Sequence, residues 1–261
     1  MPNIVVLIKQ VPDTASERKL SEDDYTLDRE SADAILDEIN ERAVEEALQI
    51  TEAQGGEVVL LTVGPERATD AIRKALSMGA DRAVHVQDDG LKGSDAVQTA
   101  YALAAAIGQI EGAELIMAGN EATDGTVGAV PAIVAEYLGI PALTHMSEVT
   151  VAEGAVSGRR ETDEGSFQVE ASMPAVVSVT ERINEPRFPA FKGIMAAKKK
   201  PVEVLTLADI GVDPSVVGVA NASSQVTGVT PKPARTAGEK VADEGNGGAD
   251  IAAYLVGQKL I

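Results

Sequence analysis

The chain has 261 residues, 44% of them hydrophobic, enough for one large α/β domain with an appendage. Aromatics make up 3% and there is no Trp, which disfavours a complete flavin or base-stacking pocket built by this chain alone. The absence of Cys removes disulfides, thiolate metal sites, iron–sulfur ligation and thiol nucleophiles, and two His are too few for most metal sites. A formal charge of −19 repels polyanions and argues against non-specific binding to nucleic acid or to an anionic membrane surface.

In chain order, apolar runs of strand length alternate with helical periodicity, the pattern of a parallel sheet covered on both faces. Strands are predicted over 4–8, 57–63, 83–86 and 115–118, with helices between them over 40–53, 67–78 and 94–110 and a fourth over 129–138. The first helix carries Ala43, Ala47 and Ile50 on one face and ends at Gly55-Gly56. The second carries Ala68, Ala71, Ile72, Ala75 and Leu76 and stops at Gly79. Pro131 fits the first turn of the fourth, where no intrahelical donor is needed.

After Pro141 the texture changes. Segments 144–151, 155–159 and 167–170 read as short strands joined by acidic-glycine turns, a meander rather than another βαβ unit, and 175–179 returns to the core. From Asn184 to Met195 two prolines forbid a regular helix or central strand, yet four large apolar side chains remain. Such a loop either folds back on its own core or touches another molecule. Lys198, Lys199 and Lys200 form a solvated basic face that can steer an acidic partner.

From about Thr206 the chain is rich in Gly, Pro, Ser and Val and ends in a short helix over 250–260. It reads either as disorder or, from its valines and the apolar face of Ile251, Leu255 and Leu260, as an arm on a partner subunit. The division expected is an α/β domain over 1–205 and an arm over 206–261. Met1 leads directly into the first strand and there is no apolar run of about 18 residues, so a cytoplasmic protein without direct membrane insertion is the expectation.

Open α/β sheets bind ligands outside the carboxyl ends of their strands. No G-x-G-x-x-G comes after the first strand and no G-x-x-x-x-G-K-[ST] occurs anywhere. The strand over 115–118 instead runs into Gly119-Asn120-Glu121-Ala122-Thr123-Asp124-Gly125-Thr126-Val127-Gly128, which leads into a helix. Its glycines let the backbone approach a phosphate, and free helix N–H groups favour an anion there, although the same string also suits an ordinary helix start. His85 and His145 have no neighbouring nucleophile, and Asp88-Asp89 and Asp163-Glu164 sit in turns, so no catalytic residue is assigned.

Several segments, in this order and spacing, carry a resemblance: Lys9-Gln10-Val11-Pro12-Asp13, Ala43-Val44-Glu45-Glu46-Ala47, Ala75 through Arg82, the Arg160-to-Pro174 stretch with its Asp163-Glu164-Gly165 turn, Asn184-Glu185-Pro186-Arg187, Ile194-Met195 before the lysine run, and Arg235-Thr236-Ala237-Gly238. Over nearly its whole length the chain resembles the electron transfer flavoprotein beta subunit. The resemblance implies a doubly wound, Rossmann-like adenine-nucleotide-binding domain with a small antiparallel meander and a C-terminal arm around an alpha subunit. It also implies a carrier, not an enzyme, that takes electrons from acyl-CoA and other flavin dehydrogenases, as in fatty acid β-oxidation, and passes them to a membrane quinone oxidoreductase. FAD would be held mostly by the alpha subunit, with the Lys9–Asp13 loop forming part of the wall facing it.

Carried over residue by residue, structural AMP would meet Leu7, Asp37, Glu38, Ile39, Asn40 and Val63 on its adenosine side. Its phosphate would meet Gly119, Asn120, Glu121, Ala122, Thr123, Asp124, Gly125, Thr126 and Val127. Here Asp124-Gly125-Thr126 runs straight into Val127-Gly128, without the Gln-bearing residues that many relatives insert. Partner recognition would fall to Phe188, Pro189, Ala190, Phe191, Lys192, Gly193, Ile194, Met195, Lys198 and Lys199, with Phe191 where the family commonly has leucine. Two alternatives stand beside this one: a bifurcating relative with a second FAD in place of AMP, and a free-standing adenine-nucleotide-binding regulatory protein.

Overall fold

The structure, a computed structural model, describes residues 2–16, 18–230, 232–234, 236–238 and 240–261. Met1 and Arg235 lie outside the described residues. The chain divides into two units, Met1–Thr227 and Gly228–Ile261.

The first unit is built on strand β1 (Asn3–Leu7), whose Ile4, Val5 and Val6 are wholly buried, as a strand covered on both faces must be. To one side of it lie β4 (Glu57–Val63), β5 (Arg82–Val86) and the edge strand β11 (Val202–Leu205), all parallel. To the other lie β6 (Ala113–Gly119), β10 (Ala175–Val179) and β7 (Ala142–Ala152), also parallel, followed by the antiparallel β8 (Ala155–Thr162) and β9 (Gly165–Ser172). The meander is therefore a continuation of the main sheet: β7 pairs with β10 on one edge and β8 on the other.

Successive side chains of a strand point to opposite faces, and the helices divide accordingly. Ile4 and Val6 share one core with α1 (Glu38–Gln54) and α2 (Thr69–Met78) through Ala43, Ala47, Ile72 and Leu76. Val5 and Leu7 share the other with α3 (Ala96–Ile107) and α4 (Val130–Leu138) through Leu103, Ile107 and Val134. From β1 the chain steps outward through β4 and β5, then returns to place β6 on the opposite side of β1. The strand order thus reverses between β1 and β6, and their carboxyl ends diverge there.

Several features differ from the sequence expectation. A two-stranded ribbon, β2 (Gln10–Pro12) against β3 (Ala34–Leu36), comes after the first strand. The proline-bearing segment does contain a helix, α5 (Phe191–Ala197), because both prolines precede it and only Ala190, in extended conformation, separates Pro189 from its first residue. Lys200 is not a solvated member of the lysine run, since its ammonium donates to the carbonyls of Leu76, Gly79 and Ala80 at the end of α2. Finally, Leu207, Ile210, Val212 and Val217 are buried in the second core, and the Leu207 N–H donates to Asp88. The segment after residue 205 therefore folds with the α/β unit, and the second unit begins at Gly228. It contains α6 (Gly247–Gly257), which has no buried residue.

Candidate functional site

At the reversal between β1 and β6 the strand ends open a cleft, where open α/β sheets bind their ligands. Leu7, Ile8 and Lys9 enter from β1 and its end, Val63 from β4, and Ala118 and Gly119 from β6. Asn40 enters from the first turn of α1, and Thr99 and Leu103 from α3. The remaining wall is the loop itself: Asn120, Glu121, Ala122, Gly125, Thr126, Val127 and Gly128, with Val130 and Pro131 opening α4.

The predicted site residues thus separate into two groups. Leu7, Asn40, Val63, Gly119, Asn120, Glu121, Ala122, Gly125, Thr126 and Val127 line the cleft; Asp37, Glu38, Ile39, Thr123 and Asp124 do not. Asp37 is fully buried and acts as a strut. One carboxylate oxygen accepts from the Ile39 and Asn40 N–H groups at 3.0 and 3.2 Å, capping α1, while the other accepts from the Thr123 N–H and hydroxyl at 2.7 and 2.8 Å. Glu38 is exposed, and its carboxylate accepts the Thr14 hydroxyl at 3.4 Å. Ile39 packs behind Gly119, where an added Cβ would come within 2.9 Å of Ile39 Cγ2 and 2.7 Å of Asn40 Nδ2.

Asp124, with its side chain wholly buried, accepts Lys9 Nζ at 2.8 Å and pairs with Arg29 Nη1 at 2.7 Å. Burial by itself raises its pKa, but the charge and hydrogen bond of Lys9, then those of Arg29, outweigh it and hold the carboxyl below its ordinary value. Burial pushes the Lys9 ammonium down, against the opposing pull of Asp124. Struts on adjacent residues, Thr123 and Asp124, therefore hold the loop from behind and leave the Gly125–Gly128 backbone facing the cleft. Thr126 at φ 48° and Gly128 at φ 67° make the turn into α4.

Sequence reasoning missed Lys9 as part of this wall, along with Thr99 and Leu103. The helix face of Thr99 and Leu103 reaches the cleft only through packing across the sheet. His85 is buried in β5 with Nε2 facing the Gly64 carbonyl at 2.9 Å, and burial lowers its pKa.

The proline-bearing segment forms a second candidate surface. Phe188 is 94% and Phe191 79% exposed, and Ile194 and Met195 are about half exposed, so these side chains do not fold back on the core. Lys192, Lys198 and Lys199 stand exposed beside them; Pro189 and Gly193 are half-buried and Ala190 is exposed. Beneath this face Gly193 lies so close to α2 that a Cβ would sit 2.5 Å from the Ser77 carbonyl oxygen. Ala197 is buried, and Arg73 donates to the carbonyls of Ala197 and Lys200 at 2.7 and 2.9 Å.

Among the described residues no helix is long and apolar enough to cross a membrane, and no cluster of three or more His, Cys, Asp or Glu could hold a metal ion.

The pattern of the electron transfer flavoprotein domain matches residues 24–210. The chain is 68% identical over 266 residues to the electron transfer flavoprotein subunit beta of Mycobacterium tuberculosis, with 100% of both chains covered. It is 34% identical over 269 residues to the subunit of the same name from Megasphaera elsdenii, with 99% of each covered. To the caffeyl-CoA reductase-Etf complex subunit CarD of Acetobacterium woodii it is 32% identical over 239 residues, 91% of each chain. With a domain match across most of its length and relatives aligned end to end, the chain belongs to the electron transfer flavoprotein family, as a beta subunit.

Proposed function

We propose that this chain pairs with an alpha subunit to form a cytoplasmic electron carrier that takes electrons from acyl-CoA and other flavin dehydrogenases and delivers them to a membrane quinone oxidoreductase. The observation that carries the docking half of this reading is the apolar face of Phe188, Phe191, Ile194 and Met195, held out from the core beside Lys192, Lys198 and Lys199. Large exposed apolar anchors of this kind concentrate the energy of protein interfaces, and cations beside them speed encounter with acidic partners. FAD, held mostly by the alpha subunit, supplies the redox chemistry when bound.

The cleft fits an adenine nucleotide with one phosphate. Its inner wall of Leu7, Val63, Leu103 and Ala118 suits a purine, and Gly119 and Gly125–Gly128 suit close backbone approach to a phosphate. Among the described residues the buried Oδ1 of Asn120, a residue on the cleft wall, has no hydrogen-bond partner. Glu121 on the same wall disfavours a multiply charged nucleotide, and among the described residues no aromatic side chain lines the cleft for a flavin to stack on. A structural AMP fits these features better than a second FAD. The name of the Acetobacterium relative attaches it to a reductase complex, but its identity is far lower than that of the mycobacterial subunits.

Two measurements test the reading. The isolated heterodimer, denatured, should release AMP and FAD in equal amounts; two FAD and no AMP would place the protein with bifurcating relatives. Phe191→Ala should leave folding and flavin content unchanged while weakening productive docking by roughly 2 kcal/mol, about thirtyfold. It is read from the rate of flavin reduction by a dehydrogenase across a concentration series, and an unaltered rate would end the docking proposal.

A further inference from the structure

Two phenylalanines as exposed as Phe188 and Phe191 would, on a slack loop, fold down onto the nearest apolar surface, because burial of apolar area dominates folding. Their segment is not slack. Downstream it is fixed to α2 through Gly193, Arg73 and Lys200. Upstream it is fixed to α1. The Asn184 amide donates to the Arg42 carbonyl at 3.1 Å and to Glu46 at 3.0 Å, and the Arg42 guanidinium donates back to the Asn184 carbonyl.

Arg187 adds a double fork. Its Nε and Nη2 reach the two oxygens of Glu45 at 2.7 and 3.0 Å, and its Nη1 and Nη2 reach those of Glu52 at 2.5 and 3.0 Å. Its backbone N–H donates to Glu45 at 3.2 Å. Donation to the Glu52 carboxylate, and then to that of Glu45, holds the guanidinium pKa above its already high ordinary value. Only Phe188, Pro189 and Ala190 separate this fork from the first residue of α5.

We infer that Arg187 is a positioning residue for electron transfer: its fork to Glu45 and Glu52 sets the apolar docking face in place before a partner arrives. A face fixed in advance loses less conformational freedom on binding, so the fork acts on docking affinity and not on redox chemistry. The inference rests on the docking reading above, and the experiment separates the two.

The heterodimer is assayed as acceptor for a dehydrogenase, giving its KM and the maximal rate of flavin reduction, with flavin content and thermal unfolding in parallel. Arg187→Ala should raise KM about tenfold and leave the maximal rate unchanged. Arg187→Lys, which keeps the charge but not the fork, should recover only part of the loss. Because Arg187→Ala strands the buried Glu45 carboxylate and can unfold the chain, Glu52→Gln supplies the second variant. The Glu52 side chain is 59% exposed, and its loss should raise KM about threefold with little change in stability. In a Phe191→Ala background the Arg187 effect should largely vanish, since a fork that acts through the docking face has no anchor left to place. If Phe191→Ala raises KM but Arg187→Ala and Glu52→Gln do not, or if the effects simply add, the inference is overturned and the docking reading stands. If Phe191→Ala leaves KM unchanged, the docking reading falls and takes the inference with it.

Discussion

Gly125 and Gly119 stand in the same loop and differ in what a side chain would meet. At Gly125 a Cβ encounters nothing nearer than Val127 Cγ2 at 4.0 Å, and φ lies outside the left-handed region; at Gly119 it collides with Asn40 and Ile39. A Cβ is therefore accommodated at position 125, and Gly125→Val directs its added bulk at a stretch of backbone that lines the cleft. It should lower AMP retention by more than tenfold, about 1.4 kcal/mol or more, with an unchanged unfolding midpoint for the nucleotide-free protein. Retention of AMP at the wild-type level would show that the phosphate does not approach this stretch of backbone. The carboxylates teach the complementary lesson. The family resemblance sets Asp37 on the adenosine side of the nucleotide and Asp124 on its phosphate side, where a carboxylate would meet a like charge. Both are turned away, Asp37 onto Thr123 and the start of α1, Asp124 onto Lys9 and Arg29.

At the scale of elements, the legible part was the part that local periodicity dictates. β4 and β10 occur where apolar runs rich in β-branched residues predict them, to the residue, and α2 ends at Gly79, whose φ of 151° few other residues adopt. α1 begins at Glu38, two residues before the predicted start at Asn40, with Asp37 as its cap. β2 and β3 have three residues each and are joined only by pairing across the intervening loop, which no periodicity records. β11 was missed because its Val-Glu-Val-Leu alternation spans only four residues, too short for periodicity to distinguish an edge strand from a loop. The site divides in the same way. The Gly119–Gly128 loop was visible as a glycine-rich link between strand and helix, whereas Thr99 and Leu103 join it only through tertiary packing. The exposure of Phe188 and Phe191 could not be read from composition, since an apolar loop can equally fold inward; the contacts of Arg187, Arg73 and Lys200 decide it.

At the scale of the whole chain, the two buried cores draw all their members from residues 4–217, so the Met1–Thr227 unit is self-sufficient. The Gly228–Ile261 unit is not. Its helix α6 buries no residue, yet Ile251, Tyr254, Val256, Leu260 and Ile261 are all exposed apolar groups. An 11-residue helix without tertiary packing is marginal in water, and most helical stability in proteins comes from burying an apolar face. This segment therefore needs a surface to cover it, and in a family of paired subunits the alpha subunit is the proposed one. Deleting residues 228–261 should leave a soluble domain that unfolds at the temperature of the full chain but binds the alpha subunit more weakly by about 3 kcal/mol, with flavin content falling as pairing is lost. Calorimetry of the isolated chains and titration with the alpha subunit measure the two quantities separately. A truncated chain that pairs and retains flavin like the full one would show that the arm is not part of the interface; one that melts at a lower temperature would show that α6 belongs to this chain's own fold.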